Sequence, residues 1–173
     1  MIKMKIANIL ILVFFTTTTL FAQENGAFKK GNKLLNIGIG VNSSYDGGIP
    51  VGLSYEQGIT GSISIGANAD YLSNEYLSLK FTAIYFGLRA SYHVNQLLKI
   101  NSNKIDLYGG PTLGYRSFSW KDNGEDLGDS YGSGLFLGAY VGGKYFFSNN
   151  LGAFTELGAI GSTNARIGIA LKF

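Results

Sequence analysis

Apolar and polar residues alternate along most of this chain. The stretch 164–173 reads NARIGIALKF. Ala165, Ile167, Ile169, Leu171 and Phe173 fall on one side of it, and Arg166, Gly168, Ala170 and Lys172 on the other. A repeat of two is the side-chain period of a β-strand, so this stretch predicts a strand with one greasy face. The segment 33–43 does the same, setting Leu35, Ile37, Ile39 and Val41 against Asn36, Gly38 and Gly40. Further strands are expected over 50–57, 62–71, 79–94, 104–118, 133–147 and 151–160. Turn chemistry separates them, with Asp-Gly-Gly at 46–48 and Ser-Asn-Asn at 148–150. Residues 72–78, 95–103 and 119–132 read as connections, the last being the longest. Pro111 is awkward inside a strand, because proline cannot donate to a sheet ladder. Gly109-Gly110-Pro111 is therefore expected to mark a bulge or a local break.

An even number of such segments, each about ten residues long, predicts an all-β fold: an eight-stranded antiparallel up-and-down transmembrane β-barrel. The rival is a soluble lipocalin-like carrier. The face opposite the apolar one carries Gly, Asn, Asp and Arg, which would line a poor greasy cavity. The apolar face is therefore expected to point out, toward lipid.

The first residues differ from the rest. Lys3 and Lys5 precede an apolar run from Ile6 to Phe15, and small residues lead up to Ala22. This is the layout of a secretory signal over 1–22, with cleavage between Ala22 and Gln23 and a barrel domain over 23–173. The run falls short of the roughly 20 residues a helical span needs. Residues 23–32 read as a short polar periplasmic lead. Removing Lys3 and Lys5 leaves 12 basic against 11 acidic residues. No clustered basic face remains to suggest nucleic acid. Charged residues make up only 14% of the chain, against the roughly 25% usual for soluble domains. There is no Cys.

The inner face supplies the main candidate constellation. Glu56, Asp70, Arg89, Asp106, Arg116, Lys144, Glu156 and Arg166, together with Lys172, all fall on inward positions. A narrow barrel has little water to solvate isolated charges, so they are expected to pair. The pairs either form a structural plug, since an interior of about eight strands is just filled by side chains, or line a gated polar path. His93, the only histidine, is expected at an interface or turn. No cofactor is indicated, and no Cys/His cluster has metal-ligand spacing. Tyr55, Tyr92, Tyr145, Phe147 and Phe173 near one set of strand ends, with Tyr71 and Trp120 near the other, suggest two interfacial aromatic belts. In the longest connection, Asp122, Glu125, Asp126 and Asp129 form a candidate binding loop. They could hold a divalent cation shared with lipopolysaccharide, although their spacing does not match an EF-hand. A solvated loop is the plainer reading.

The signal-like start, LYGGPTLGYRSF at 107–118, AFTELGAIG at 153–161 and the terminal ARIGIALKF together resemble the small outer-membrane β-barrels typified by OmpX and the transmembrane domain of OmpA. The resemblance covers the chain after the signal and implies residence in the outer membrane, in contact with its lipid and lipopolysaccharide. It implies that the terminal strand, with Ile169, Leu171 and Phe173, is read by the barrel-assembly machinery. No peptidoglycan-binding domain is expected after the barrel. Fold does not transfer function. The expectation is a non-enzymatic envelope protein with a structural role or an unknown surface ligand; the alternatives are a small porin-like channel and a lipid-modifying enzyme.

Overall fold

The computed structural model describes residues 26–45, 47–76, 79–122, 125–126 and 133–173. The expected signal and its cleavage point at Ala22 and Gln23 lie outside them. The strands are β1 (Lys33–Ser43), β2 (Val51–Gly58), β3 (Ile63–Tyr76), β4 (Leu79–His93), β5 (Ile105–Asp122), β6 (Glu125–Asp126), β7 (Gly134–Phe146), β8 (Leu151–Gly158) and β9 (Thr163–Lys172). Each long strand pairs antiparallel with its neighbours in sequence, and β1 pairs with β9. The sheet therefore closes into an eight-stranded up-and-down barrel. The two-residue β6 pairs only with the tip of β5. Closure removes the edges that would otherwise expose unpaired backbone to lipid.

The alternation sorts as expected. Leu88, Leu135 and Leu137 are 70%, 85% and 76% exposed, while Asn36, Glu56 and Asp106 are fully buried. A belt of naked leucine, isoleucine and valine is stable only against hydrocarbon. The start of β1 and Phe173 lie at one rim, called here the terminal end. Phe173 donates from its N–H to the Lys33 carbonyl at 2.9 Å and accepts from the Lys33 N–H at 3.1 Å, closing the seam there.

Pro111 breaks the ladder without bulging it. On the β7 side the register runs straight through Gly110, Pro111 and Thr112. On the β4 side Arg89 pairs with Thr112 and Tyr92 with Gly109, and the two positions between them do not pair. The register is the same on both sides of the gap. The Tyr140 hydroxyl donates from inside the barrel to the Ala90 carbonyl opposite Pro111, at 3.1 Å. An interior hydroxyl thus stands in for the N–H that proline lacks.

Strand β4 spans Leu79–His93, close to the expected 79–94, but β3 and β5 run longer than the sequence pattern suggests. Residues 72–76, expected as a connection, extend β3, and only 77–78 separate it from β4. Ser119–Asp122, expected as part of the longest loop, extends β5. Pairing of β2 with β3 ends at Val51–Tyr71, and pairing of β5 with β7 ends at Arg116–Gly134. Beyond those rows three strands continue alone, for five residues in β3. At about 3.4 Å per residue that is roughly 17 Å of emergent sheet.

Candidate functional site: a sealed charged interior and an emergent sheet

Seven of the nine predicted inward charges meet in one network inside the barrel. Arg89 from β4 bridges two acids: its Nη2 lies 2.6 Å from Glu156 Oε1, and its Nε lies 3.4 Å from Glu56 Oε1. Arg166 from β9 reaches Asp70, and its Nη1 lies 4.0 Å from Glu156 Oε2. Lys144 Nζ stands 3.8 Å from Asp106 Oδ2 and 3.3 Å above the Tyr108 ring. Arg116 is the exception: it faces inward but is only half-buried, ten residues along β5 from Asp106 toward the other rim. Lys172 is also apart, donating from Nζ to the Ala27 carbonyl at 3.0 Å. Gly52 makes room for the Asp70–Arg166 pair, since a methyl group there would overlap both side chains.

Hydroxyls add to these pairs, while Glu56 Oε1, Asp70 Oδ2, Asp106 Oδ2, Lys144 Nζ and Arg166 Nε are held by charge alone, without a hydrogen bond. Ser64 Oγ donates to Glu56 Oε2 at 2.7 Å, and Ser91 Oγ donates to the same oxygen. Tyr108 Oη donates to Glu156 Oε1 at 3.0 Å. Tyr140 Oη accepts from Arg89 Nε at 3.0 Å. Charges in a narrow interior persist only when paired in this way.

His93 is not at an interface or turn. It is buried, 2% exposed, with Nδ1 2.7 Å from Asp106 Oδ1 and Nε2 3.0 Å from Ser64 Oγ. Ser–His–Asp in that order is the atom set of a hydrolytic triad. Here Ser64 Oγ is already committed to Glu56, and Ser64 is fully buried. The row works as a strut tying β2, β3, β4 and β5. Residue type gives no sign of this; the inward parity of His93 with Arg89 and Ser91 is the signal that points to it.

The residues read as a polar lead also do something else. Ala27 and Phe28 enter the terminal mouth and pack with Leu34, Phe146, Phe154 and Ala170. The Phe28 ring stacks on His93 at 3.4 Å, with 4° between planes. Ala27 N–H donates to the Ser102 carbonyl and Gly31 N–H to the Gly58 carbonyl. The long connection 94–104 is thereby explained: it holds this strap. The space left beside Phe28 and His93 is about 20 Å³, room for one water at most.

At the opposite end stands a second apolar cluster of Leu72, Phe81, Ala83 and Phe118, against which Tyr45 packs. Phe81 and Phe118 stack at 5.6 Å, and Tyr45 tilts onto both, at 5.9 and 5.3 Å. This cluster belongs to the emergent sheet, where the faces exchange roles. The outward row Tyr71–Ile84–Ser117 is followed by Ser73–Thr82–Ser119 and then by Glu75–Lys80. The inward row between the first two is Leu72–Ala83–Phe118. Apolar residues thus switch from outside to inside at Ser73.

The aromatic belt stands at the terminal end, where Tyr55, Tyr92, Tyr145, Phe147 and Phe173 are all exposed. At the other end Tyr71 is exposed as well, and the side chain of Trp120 lies outside the described residues. The acidic candidates are not simply a loop. Asp122 and Glu125 pair across a hairpin, as do Lys121 and Asp126. Asp129 lies outside the described residues, as do the side chains of the other three acids. Among the described residues no group of His, Cys, Asp and Glu is arranged to hold a metal.

No protein-family model matches the chain, and no curated protein matches it in sequence. Solved structures do. Neisserial surface protein A aligns with a TM-score of 0.55 at 17% identity, over 82% of this chain and 95% of that one. The outer membrane protein OprG from Pseudomonas aeruginosa aligns with a TM-score of 0.55 at 12% identity, over 87% and 99%. The N-terminal β-barrel domain of Pseudomonas aeruginosa OprF gives 0.53 at 15%, over 84% and 98%. With its lipid-facing belt and its closed ring of eight antiparallel strands, this chain has the fold of the small outer-membrane β-barrels, the fold that its resemblance to OmpX and OmpA implies, and its place is the outer membrane.

Proposed function

We propose that this protein is a non-enzymatic envelope component that displays the emergent β3–β4–β5 sheet and its acidic hairpin on the cell surface. In this reading a cleaved signal over 1–22 exports the chain, the barrel-assembly machinery reads Ile169, Leu171 and Phe173, and the terminal end faces the periplasm. The observation that carries the reading is the exchange of faces at Ser73–Thr82–Ser119. A sheet that buries phenylalanines and shows Ser, Thr, Glu and Lys is built to stand in water. Rigid scaffolds carry binding on such projecting segments. The hairpin positions Asp122, Glu125, Asp126 and Asp129 suit a cationic surface ligand, or a divalent cation shared with lipopolysaccharide.

The test is replacement of 119–132 by a short Gly-Ser turn, followed by whole-cell binding to cationic and lipopolysaccharide ligands. Binding is expected to fall while the heat-modifiable gel shift of the barrel persists. Binding that survives would leave a purely structural role.

Hydrolysis is the second reading, and the Ser64–His93–Asp106 order is its support. A serine-directed fluorophosphonate is the direct probe. The strut reading expects no adduct at Ser64, and labelling there would establish the enzyme.

A further inference from the structure

The terminal end carries a charge pattern that the proposed function does not use. Lys29 and Lys30 on the strap, Lys33 at the start of β1, and Lys99 and Lys104 around the connection to β5 are all exposed. They surround the mouth. The strap crosses it to Ser102, Lys33 bonds to Phe173 at the β1–β9 seam, and the Lys104 carbonyl accepts from Phe146 N–H. No exposed acidic side chain opposes them among the described residues. Glu56, Asp106 and Glu156 are fully buried, and the exposed Glu75 stands at the far end.

These lysines are interleaved with bare apolar groups. Leu97 and Leu98, outside any strand and next to Lys99, are 68% and 55% exposed. Phe147 and Phe173 are exposed as well. Water would not favour such a surface, and a flat polyanion such as the cell wall would meet only half of it. A membrane interface satisfies both halves: hydrocarbon takes the leucines and rings, and headgroup phosphate takes the ammonium groups.

We infer that this rim is a binding collar for the headgroups of net-anionic phospholipid, such as phosphatidylglycerol. A zwitterionic lipid offers the same phosphate but cancels it with its own amine, so the collar selects for net charge.

The test places the mature protein in phosphatidylcholine bilayers and compares the first-layer association of spin-labelled phosphatidylglycerol and spin-labelled phosphatidylcholine. A preference on the order of fivefold for phosphatidylglycerol is expected at low salt, the factor that one lysine supplies near an anionic surface. It should collapse in about 1 M salt, where the screening length is about 3 Å. Replacing all five lysines with Gln should abolish the preference, and replacing them with Arg should preserve it, with the heat-modifiable shift confirming a folded barrel. The wild-type salt titration needs no variant. Equal association of the two lipids at low salt, or a preference unchanged by Lys→Gln, would overturn the inference. Lysine-dependent sedimentation with purified cell-wall sacculi, without lipid preference, would reassign the rim to the wall.

Discussion

The membrane-embedded part of the barrel and the sheet that rises from it are built from the same strands with opposite faces in use. In the lower part Glu56, Arg89 and Glu156 are inside, and Leu53, Leu88 and Leu157 are outside. In the emergent part Leu72, Phe81 and Phe118 are inside, and Ser73, Thr82 and Lys80 are outside. The backbone does not change between them, and the register runs on without a shift. What changes is the solvent. Against hydrocarbon, apolar groups gain little by turning inward, so the interior can hold charged groups that pair with one another, packed beside Phe154 and Ile160. Against water, burying leucine and phenylalanine is worth about 1.5–3 kcal/mol each, and the ordinary soluble arrangement returns.

That contrast is most exposed to attack at Arg89. Arg89→Ala strands Glu56 and Glu156 in the interior, and removing one partner of a buried pair costs about 3–5 kcal/mol. Urea unfolding in lipid bilayers should show a loss of that size. An Arg89→Ala variant as stable as the wild type would mean that the charges are not holding the lower half together.

In the emergent sheet the matching change is apolar. Phe118→Ala should cost about 3 kcal/mol of local stability. Amide exchange should quicken in 72–83 and 117–122 while the lower barrel stays protected, because the two cores share no residues. Uniform quickening over all strands would show one core rather than two.

Phe28→Ala sharpens the comparison at the terminal mouth. Loss of its stack on His93 should free the strap, at about 1–2 kcal/mol, and allow transient conductance in planar bilayers where the intact protein is silent. Steady conductance by the intact protein would overturn the sealed interior and favour the channel. The smallest effect is expected at the seam. Phe173→Ala keeps both backbone bonds to Lys33, so the folded barrel should lose less than about 1 kcal/mol. Outer-membrane levels in cells should nonetheless fall, because the assembly signal is impaired. Unchanged levels would remove that role from Phe173.

The sequence pattern showed the barrel clearly and the emergent sheet hardly at all, for one physical reason. Alternation over 33–43 or 164–173 is read with apolar side chains facing lipid. In 72–76 and 119–122 the polar side chains take the outward positions, so Ser73, Glu75 and Ser119 looked like the residues of a connection. The inward charges were legible from parity alone. Their pairing was not, because it depends on how seven strands curve around one another. The strap was missed because Ala27 and Phe28 sit in a stretch with Lys29, Lys30 and Asn32, and no period marks a segment that merely turns into a mouth. His93 was misplaced because it stands at the last residue of β4, where strand and turn look alike in sequence.

The exchange of faces can be measured directly. The chain has no cysteine, so single cysteines can be introduced one at a time and spin-labelled without background. Labels at Tyr71, Ser73, Thr82, Ile84, Tyr115 and Ser119 would then be compared for collision with oxygen, which collects in hydrocarbon, and with a water-soluble nickel chelate. The account predicts oxygen access at Tyr71, Ile84 and Tyr115, and nickel access at Ser73, Thr82 and Ser119, with the change falling within a single outward row. Oxygen access persisting at Ser73 and Ser119 would place the whole sheet in lipid and contradict the account.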